Sequence, residues 1–471
     1  MPFSHIPHAK ALKSLVDAKP VPFWLDDKER PEPASALTGS ITADLCIIGA
    51  GFTGLWAALL AKESDPSLDV VLIEASEAGE GASGRNGGFV DHCLTHTFEN
   101  GLERWPAELS NLVKIGYENL DAIAETLKRY RIDCDYQRTG EMVVATEPYQ
   151  VEDLRNAPAW AGQYGLKLEW CDQEQARAIV NSPTYLGGLY DPAIAMVNPA
   201  RLVWGLRRAC LENGVRLFER TQATGLREEA GGVIVHTQYG QVRSKKVALA
   251  TNAFPPLLNR LNYYVVPVYD YALMTEPLTR DQRAVLGWEK RIGVGDAGNQ
   301  FHYYRTSSDG RILWGGYDAV YHWNNGFGPK LETDYESFGR LADHFFQTFP
   351  QLEGIRFTHA WGGAIDTCSR FCAFWGQAFG GKLAYAMGYT GLGVGAARFG
   401  TQVMLDLLNG ADNQRTRLRM VRQKPIPFPP EPVRSAVINL TRWSMDQADR
   451  NKGKRNLWLK LLDATGLGFD S

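Results

Sequence analysis

Gly49, Gly51 and Gly54 interrupt the stretch CIIGAGFTGLWAALLA, residues 46–61. Residues 43–48 enter it as a short apolar strand, and residues 55–62 leave it as a helix. Glycine at the end of a buried strand costs backbone entropy, so something must offset it. The G-x-G-x-x-G spacing supplies a reason. Gly49 makes a tight strand-to-helix turn, Gly51 lets a pyrophosphate approach the backbone, and Gly54 lets helix and strand pack closely. The helix start, at Phe52 and Thr53, offers unpaired N–H groups and partial positive charge to phosphates. Residues 69–73 read as a second buried strand ending at Glu74, followed by Ala75. Glu74 lies 20 residues after Gly54, where an acid accepts hydrogen bonds from ribose hydroxyls. No arginine is adjacent, which disfavours a 2′-phosphate.

A second cluster, GEGASGRNGGFV at residues 79–90, begins soon after Glu74. A loop there can fold back over a dinucleotide. Ser83, Gly84, Arg85, Asn86, Gly87 and Gly88 are its candidate contacts, because glycine lets backbone amides come close to a ligand.

These motifs sit in an ordinary chain of 471 residues, 44% hydrophobic and 22% charged, long enough for two or three domains. The net charge of −3 leaves no footprint for nucleic acid. The seven cysteines include no C-x-x-C pair, so neither a disulfide framework nor a metal site is expected. The sequence carries neither a signal-peptide pattern nor an apolar run of about 18 residues, so a cytoplasmic location is expected. Residues 102–130 and 331–349 read as helices, and residues 140–145, 263–276 and 300–315 as strands. The stretch 380–410 closes this part as strand, glycine loop and helix. The expected fold is α/β, α+β overall. A Rossmann-like cofactor domain (41–100, 190–255 and 360–410) holds an inserted strand-rich substrate domain (101–189 and 256–359). An N-terminal arm (1–40) runs over the surface, and a linker with a basic, aromatic helical tail spans 411–471.

The chain resembles the FAD-dependent amine oxidoreductases of the D-amino-acid oxidase-like (DAO) superfamily, nearest the γ-glutamylputrescine oxidase branch. The resemblance rests on the two glycine clusters with VNPARL (197–202), VALATNAF (247–254), TEPL (275–278), DGRILWGG (309–316), WGGAID (361–366) and GYTGLGV (388–394). It implies bound FAD and hydride transfer from the C–N carbon of an amine to flavin N5. Hydrolysis of the imine to an aldehyde or keto product follows, and O2 reoxidises the flavin to give H2O2. It also places the loop Gly388, Thr390, Gly391, Leu392, Gly393 and Val394 at the flavin.

Departures from the family pattern bear on the substrate. Amino-acid oxidases clamp the substrate carboxylate with an arginine at about the position of GGAID; here the next arginine is Arg370. Asp366 either meets a substrate ammonium or orders a turn. Where sarcosine-oxidase relatives use a lysine for oxygen reactivity, Trp314 stands. Arg85 replaces the histidine that links FAD covalently in some relatives, and Cys368 is offset from the cysteine used in others, so non-covalent FAD is expected. His96 is a pocket candidate, with a structural hydrogen bond as its other reading. Tyr303 and Arg305 share one face of a strand and could meet a distal anionic group. The expected substrate is a polyamine derivative, an ω-amino acid or an aminophosphonate. Two alternatives stand beside amine oxidation by O2: an amine dehydrogenase that passes electrons to a protein or quinone, and a non-catalytic flavoprotein. The tail's cations and tryptophans admit a membrane or protein partner, but docking on the chain's own surface is preferred.

Overall fold

The apolar run before the first glycines becomes the strand Gly39–Ile48, at the centre of an eight-stranded sheet. The computed structural model describes residue 3 and residues 6–467; four positions of the arm and residues 468–471 of the tail lie outside the described residues. Gly39–Ile48 pairs in parallel with Val70–Ile73 on one side and Gly240–Leu249 on the other. Arg216–Phe218, Leu383–Met387 and Phe374–Ala378 extend the sheet outwards. Val70–Ile73 is buried throughout, as a parallel strand covered on both faces must be. The helices Phe52–Ser64, Pro199–Glu212 and Gly393–Leu408 contribute Leu55, Trp56, Leu206 and Phe399 to the core on one face. The other face is closed partly by the antiparallel strand Gly232–Thr237, through Val233 and Val235.

A nine-stranded sheet forms the second layer. Its strands alternate between two faces. Met142, Val294, Tyr304 and Trp314 pack with Phe338 and Phe345 of the helix Tyr335–Thr348. Glu141, Gly295, Tyr303 and Gly315 point the other way, as the period of two requires. Gly87 lies against the Tyr303 ring, so this face meets the second glycine cluster.

Several expectations need correction. The strand Phe357–Thr367 pairs with Val266–Thr275 in the second sheet, so the chain returns to the first sheet at Phe374 rather than at residue 360. Residues 300–315 form a hairpin, His302–Thr306 and Ile312–Gly316, because Asp309-Gly310 turns the chain with Gly310 at φ +78°. Residues 102–130 divide into Phe98–Arg104 and Leu109–Arg129. Pro106 lies in the break, where its missing N–H is harmless. The arm is more than a surface strap: Trp24, Leu25 and Leu37 are buried in the cores. The tail folds as the helices Val433–Arg450 and Leu457–Ala464. It docks on the second sheet through Asp449, which accepts hydrogen bonds from the backbone N–H groups of Asn299 and Gln300. Among the described residues no helix is long and apolar enough to cross a membrane.

Candidate functional site

The first glycine turn is held by close approach. A Cβ at Gly49, whose φ is +103°, would stand 2.6 Å from the Ala250 carbonyl oxygen. At Gly54 it would stand 1.8 Å from the carbonyl oxygen of Gly49. Gly51 is less confined, its nearest neighbour being Ser83 Oγ at 2.8 Å. That hydroxyl accepts the Phe52 N–H at 2.9 Å, which ties the two glycine clusters together. Gly51 brings no capping side chain of its own, so beyond the Phe52 N–H held by Ser83 the start of the helix, including the Thr53 N–H, is open to an anion.

Glu74, which precedes Ala75, accepts from the backbone N–H groups of Ala50 (2.7 Å) and Ser76 (2.9 Å). Burial pushes its carboxyl above the usual range, against the pull of these donors. Through Ala50 it holds the glycine turn. Glu74→Ala is expected to weaken FAD binding by roughly ten- to a hundredfold, since the Ala50 N–H loses its partner together with the ribose contact. Equilibrium dialysis of FAD against both proteins checks this; equal affinities would refute it.

In the second cluster Asn86 shapes the loop. Its Nδ2 donates to the carbonyls of Ala82 and Ser83, and its Oδ1 accepts from the Gly88 N–H. Gly84 packs against the Gly79 carbonyl, and Gly88 (φ +78°) against that of Val197. Arg85 is engaged rather than free for phosphate: it pairs with Glu332 at 2.6 Å and donates to the Glu80 carbonyl at 2.6 Å. It joins the loop to the substrate layer.

The closing loop is organised by Asp366. Its Oδ2 accepts from the N–H groups of Gly388 (2.6 Å) and Tyr389 (3.2 Å). The carboxylate is 2% exposed, and burial raises it to about 6. Of its two sequence readings, the geometry is that of a turn organiser. Thr390 (φ +50°) and Gly391 (φ +94°) carry the chain past this turn. The helix Gly393–Leu408 follows, with Leu392 at its N-cap, no side chain capping it, and Val394 buried. Asp366→Asn is expected to retain the turn, since one amide oxygen at the Oδ2 position serves both donors. Asp366→Ala should cost about 1–3 kcal/mol by leaving buried donors unpaired. Denaturant unfolding compares them, and equal losses in the two variants would contradict this.

Tyr303 donates its hydroxyl to Asp270 Oδ2 at 2.7 Å, and burial lifts the Asp270 carboxyl to about 6. Arg305 leaves its expected role. It is fully buried, its Nη1 donating to the carbonyls of Val197 (2.6 Å) and Gly88 (3.2 Å), and burial lowers it to about 9. Arg370 likewise donates to the carbonyls of Cys372, Met420, Gln423 and Ala373. His96 has φ +74°, and burial lowers it to about 4, so it is neutral. Trp314 points into the core beside Tyr304 and Phe345, and its strand offers Leu313 and Gly315 to the site face instead. Sequence reading missed Asp270, which holds the Tyr303 hydroxyl, and did not single out Glu141. The alternation through residues 140–145 was the available signal for Glu141, but a charged residue opening a strand reads as a solvent edge.

Two uncapped helix starts, an acid at the ribose position and two glycine-lined approaches make a cradle that fits FAD. Phe52, Thr53, Gly54, Glu74 and Ser83 would hold the nucleotide, and the loop 388–394 the ring system. Cys368 Sγ is buried and donates to the Cys372 carbonyl at 3.2 Å, so neither it nor Arg85 offers a covalent link. Acid precipitation is expected to release the yellow cofactor into the supernatant. Flavin fluorescence that stays with the denatured protein would contradict this.

The sequence pattern of the FAD dependent oxidoreductase family, DAO, matches residues 44–405. The chain is 32% identical over 388 residues to gamma-glutamylputrescine oxidoreductase of Escherichia coli K12, covering 80% of this chain and 86% of that one. It is 28% identical over 408 residues to the probable oxidoreductase OrdL of Haemophilus influenzae, covering 83% and 89%. Among solved structures, glycine oxidase from Geobacillus kaustophilus superposes with a TM-score of 0.67 at 18% identity, over 79% of this chain and 96% of that one. With the family pattern running from the first glycine strand to the closing helix, and the cradle built from the same segments, the chain belongs to the FAD-dependent oxidoreductases of the DAO family.

Proposed function

We propose that the protein oxidises a primary or secondary amine that lacks an α-carboxylate, such as a polyamine derivative, an ω-amino acid or an aminophosphonate. The observation that carries this reading is the engagement of Arg305 and Arg370. Arg370 donates through Nε and both terminal nitrogens to backbone carbonyls, while Arg305 anchors Nη1 on two carbonyls and keeps Nη2 buried 4.0 Å from Asp135 Oδ2, so neither extends to clamp an amino-acid carboxylate. The similarity to the γ-glutamylputrescine oxidoreductase supports the same substrate class. Bound FAD supplies the hydride acceptor. The chain's part is orientation and electrostatics. The uncapped start of Gly393–Leu408 favours negative charge developing near it, and Tyr303, held by Asp270, fixes one wall of the site. The imine product hydrolyses in water, and O2 takes the electrons to give H2O2. A second reading, transfer of electrons to a protein or quinone, draws on Leu313 and Gly315, which bring no cation to the site face of their strand. The test is an anaerobic amine panel that follows flavin bleaching, then admission of air. Bleaching with rapid return of the yellow form supports an oxidase. Bleaching with slow return supports the second reading, and no bleaching by any amine refutes the proposal.

A further inference from the structure

Glu141 opens the strand Glu141–Ala145 and lies on the sheet face that carries Tyr303. Gly295 separates them: it pairs directly with Tyr303, and a Cβ there would stand 3.5 Å from Glu141 Oε1. That is ordinary contact distance, and glycine places no side chain over the carboxylate from this neighbour. Glu141 lies deep in the protein yet keeps part of its surface accessible. Its carboxylate has no hydrogen bond or ion pair to any described residue. A buried, unpaired carboxylate is costly and calls for a cation.

The surroundings give that cation a shape. Asp91 and Asp191 both act electrostatically on Glu141. They also line a cavity of about 140 Å³ whose other walls include Leu109, Leu112 and Leu166; Glu141 is not on its wall but is the cross-strand neighbour of Asp191, which is. Asp191 is already paired with His92, at 2.8 Å. Negative charge beside an aliphatic wall suits an alkyl chain that ends in an ammonium.

We propose that Glu141 is the carboxylate that receives a cationic nitrogen of the substrate, making it a specificity-determining residue for alkylammonium ligands. This rests on the amine reading above. Burial and the neighbouring carboxylates hold Glu141 at about 8 while it is unpaired, and an arriving ammonium relieves that penalty.

The test uses FAD-loaded enzyme at pH 8.5 and tert-butylammonium, whose C–N carbon bears no hydrogen and cannot be oxidised. Calorimetry gives its Kd, with tert-butanol as the neutral match. Glu141→Gln is expected to weaken the cation by roughly ten- to a hundredfold and leave the alcohol unchanged, with Glu141→Asp between. FAD content and near-ultraviolet circular dichroism verify that both variants are folded. Equal cation affinity in wild type and Glu141→Gln overturns the proposal, as does a wild type that binds no cation. Bleaching by putrescine separates the two ideas. If putrescine bleaches the flavin while cation binding ignores Glu141, only this subsite fails. If the cation effect holds while no amine bleaches the flavin, only the amine reading fails.

Discussion

Gly54→Ala is expected to purify without FAD and to unfold at lower denaturant than the wild type. The new Cβ would stand 1.8 Å from the Gly49 carbonyl oxygen, 3.0 Å from its carbon and 3.4 Å from Ile47 Cγ2. Backbone atoms of a buried strand end cannot swing aside as a flexible side chain can. Relief therefore requires the helix Phe52–Ser64 to move off the sheet, which displaces the N–H groups proposed to hold phosphate. Overpacking of this kind costs about 1–3 kcal/mol, occasionally more. Gly51→Val provides the contrast. A Cβ at residue 51 meets only the Ser83 side chain, Oγ at 2.8 Å and Cβ at 3.8 Å, and a serine hydroxyl can rotate. That variant should stay folded and lose FAD because its branches fill the space where pyrophosphate meets backbone. The measurement is FAD per chain, from absorbance after gel filtration, beside a urea titration. A Gly54→Ala protein with full FAD and an unchanged midpoint would show that helix and strand tolerate separation.

Across a substrate panel, putrescine and γ-glutamylputrescine should exceed D-alanine and glycine in kcat/KM by about ten- to a hundredfold. A bidentate arginine–carboxylate contact contributes roughly 1.5–3 kcal/mol, which corresponds to that factor. The guanidinium groups that could provide it are committed elsewhere. Arg305 lies beneath the second glycine cluster, over the Trp24 ring, and Arg370 lies between the Trp105 and Trp375 rings. Freeing either would strip buried carbonyls of their donors. Sarcosine, 4-aminobutyrate and an aminoalkylphosphonate complete the panel. If D-alanine or glycine leads it, an arginine does reach the substrate, and Arg305→Lys and Arg370→Lys identify which.

Much of the cofactor cradle is legible along the chain because its parts are local. A strand end, a glycine turn, a helix start and an acid at fixed spacing lie within residues 43–74, and each follows from backbone sterics or helix-end hydrogen bonding. The substrate side is less legible. Residues 300–315 read as one strand because their apolar content is continuous, and the Asp309-Gly310 turn that divides them is short. The strand Phe357–Thr367 reads as part of the cofactor domain because it precedes the closing loop, yet its partner, Val266–Thr275, lies about 90 residues earlier in the chain. Pairing over such separation leaves no local pattern.

By itself the sequence determined the glycine turn and the family, since glycine spacing and apolar periodicity are properties of neighbouring residues. Tertiary structure decided what the charged side chains do. Arg305 and Arg85 look like ligand-binding groups in a strand and a glycine loop, but buried carbonyls and Glu332 claim them. Asp366 becomes the organiser of a turn that begins 22 residues later. Glu141, unremarkable at the start of a strand, is left as an enclosed carboxylate with no partner among the described residues. Charge is assigned by whatever the fold brings within hydrogen-bond reach, and that is not written in sequence spacing.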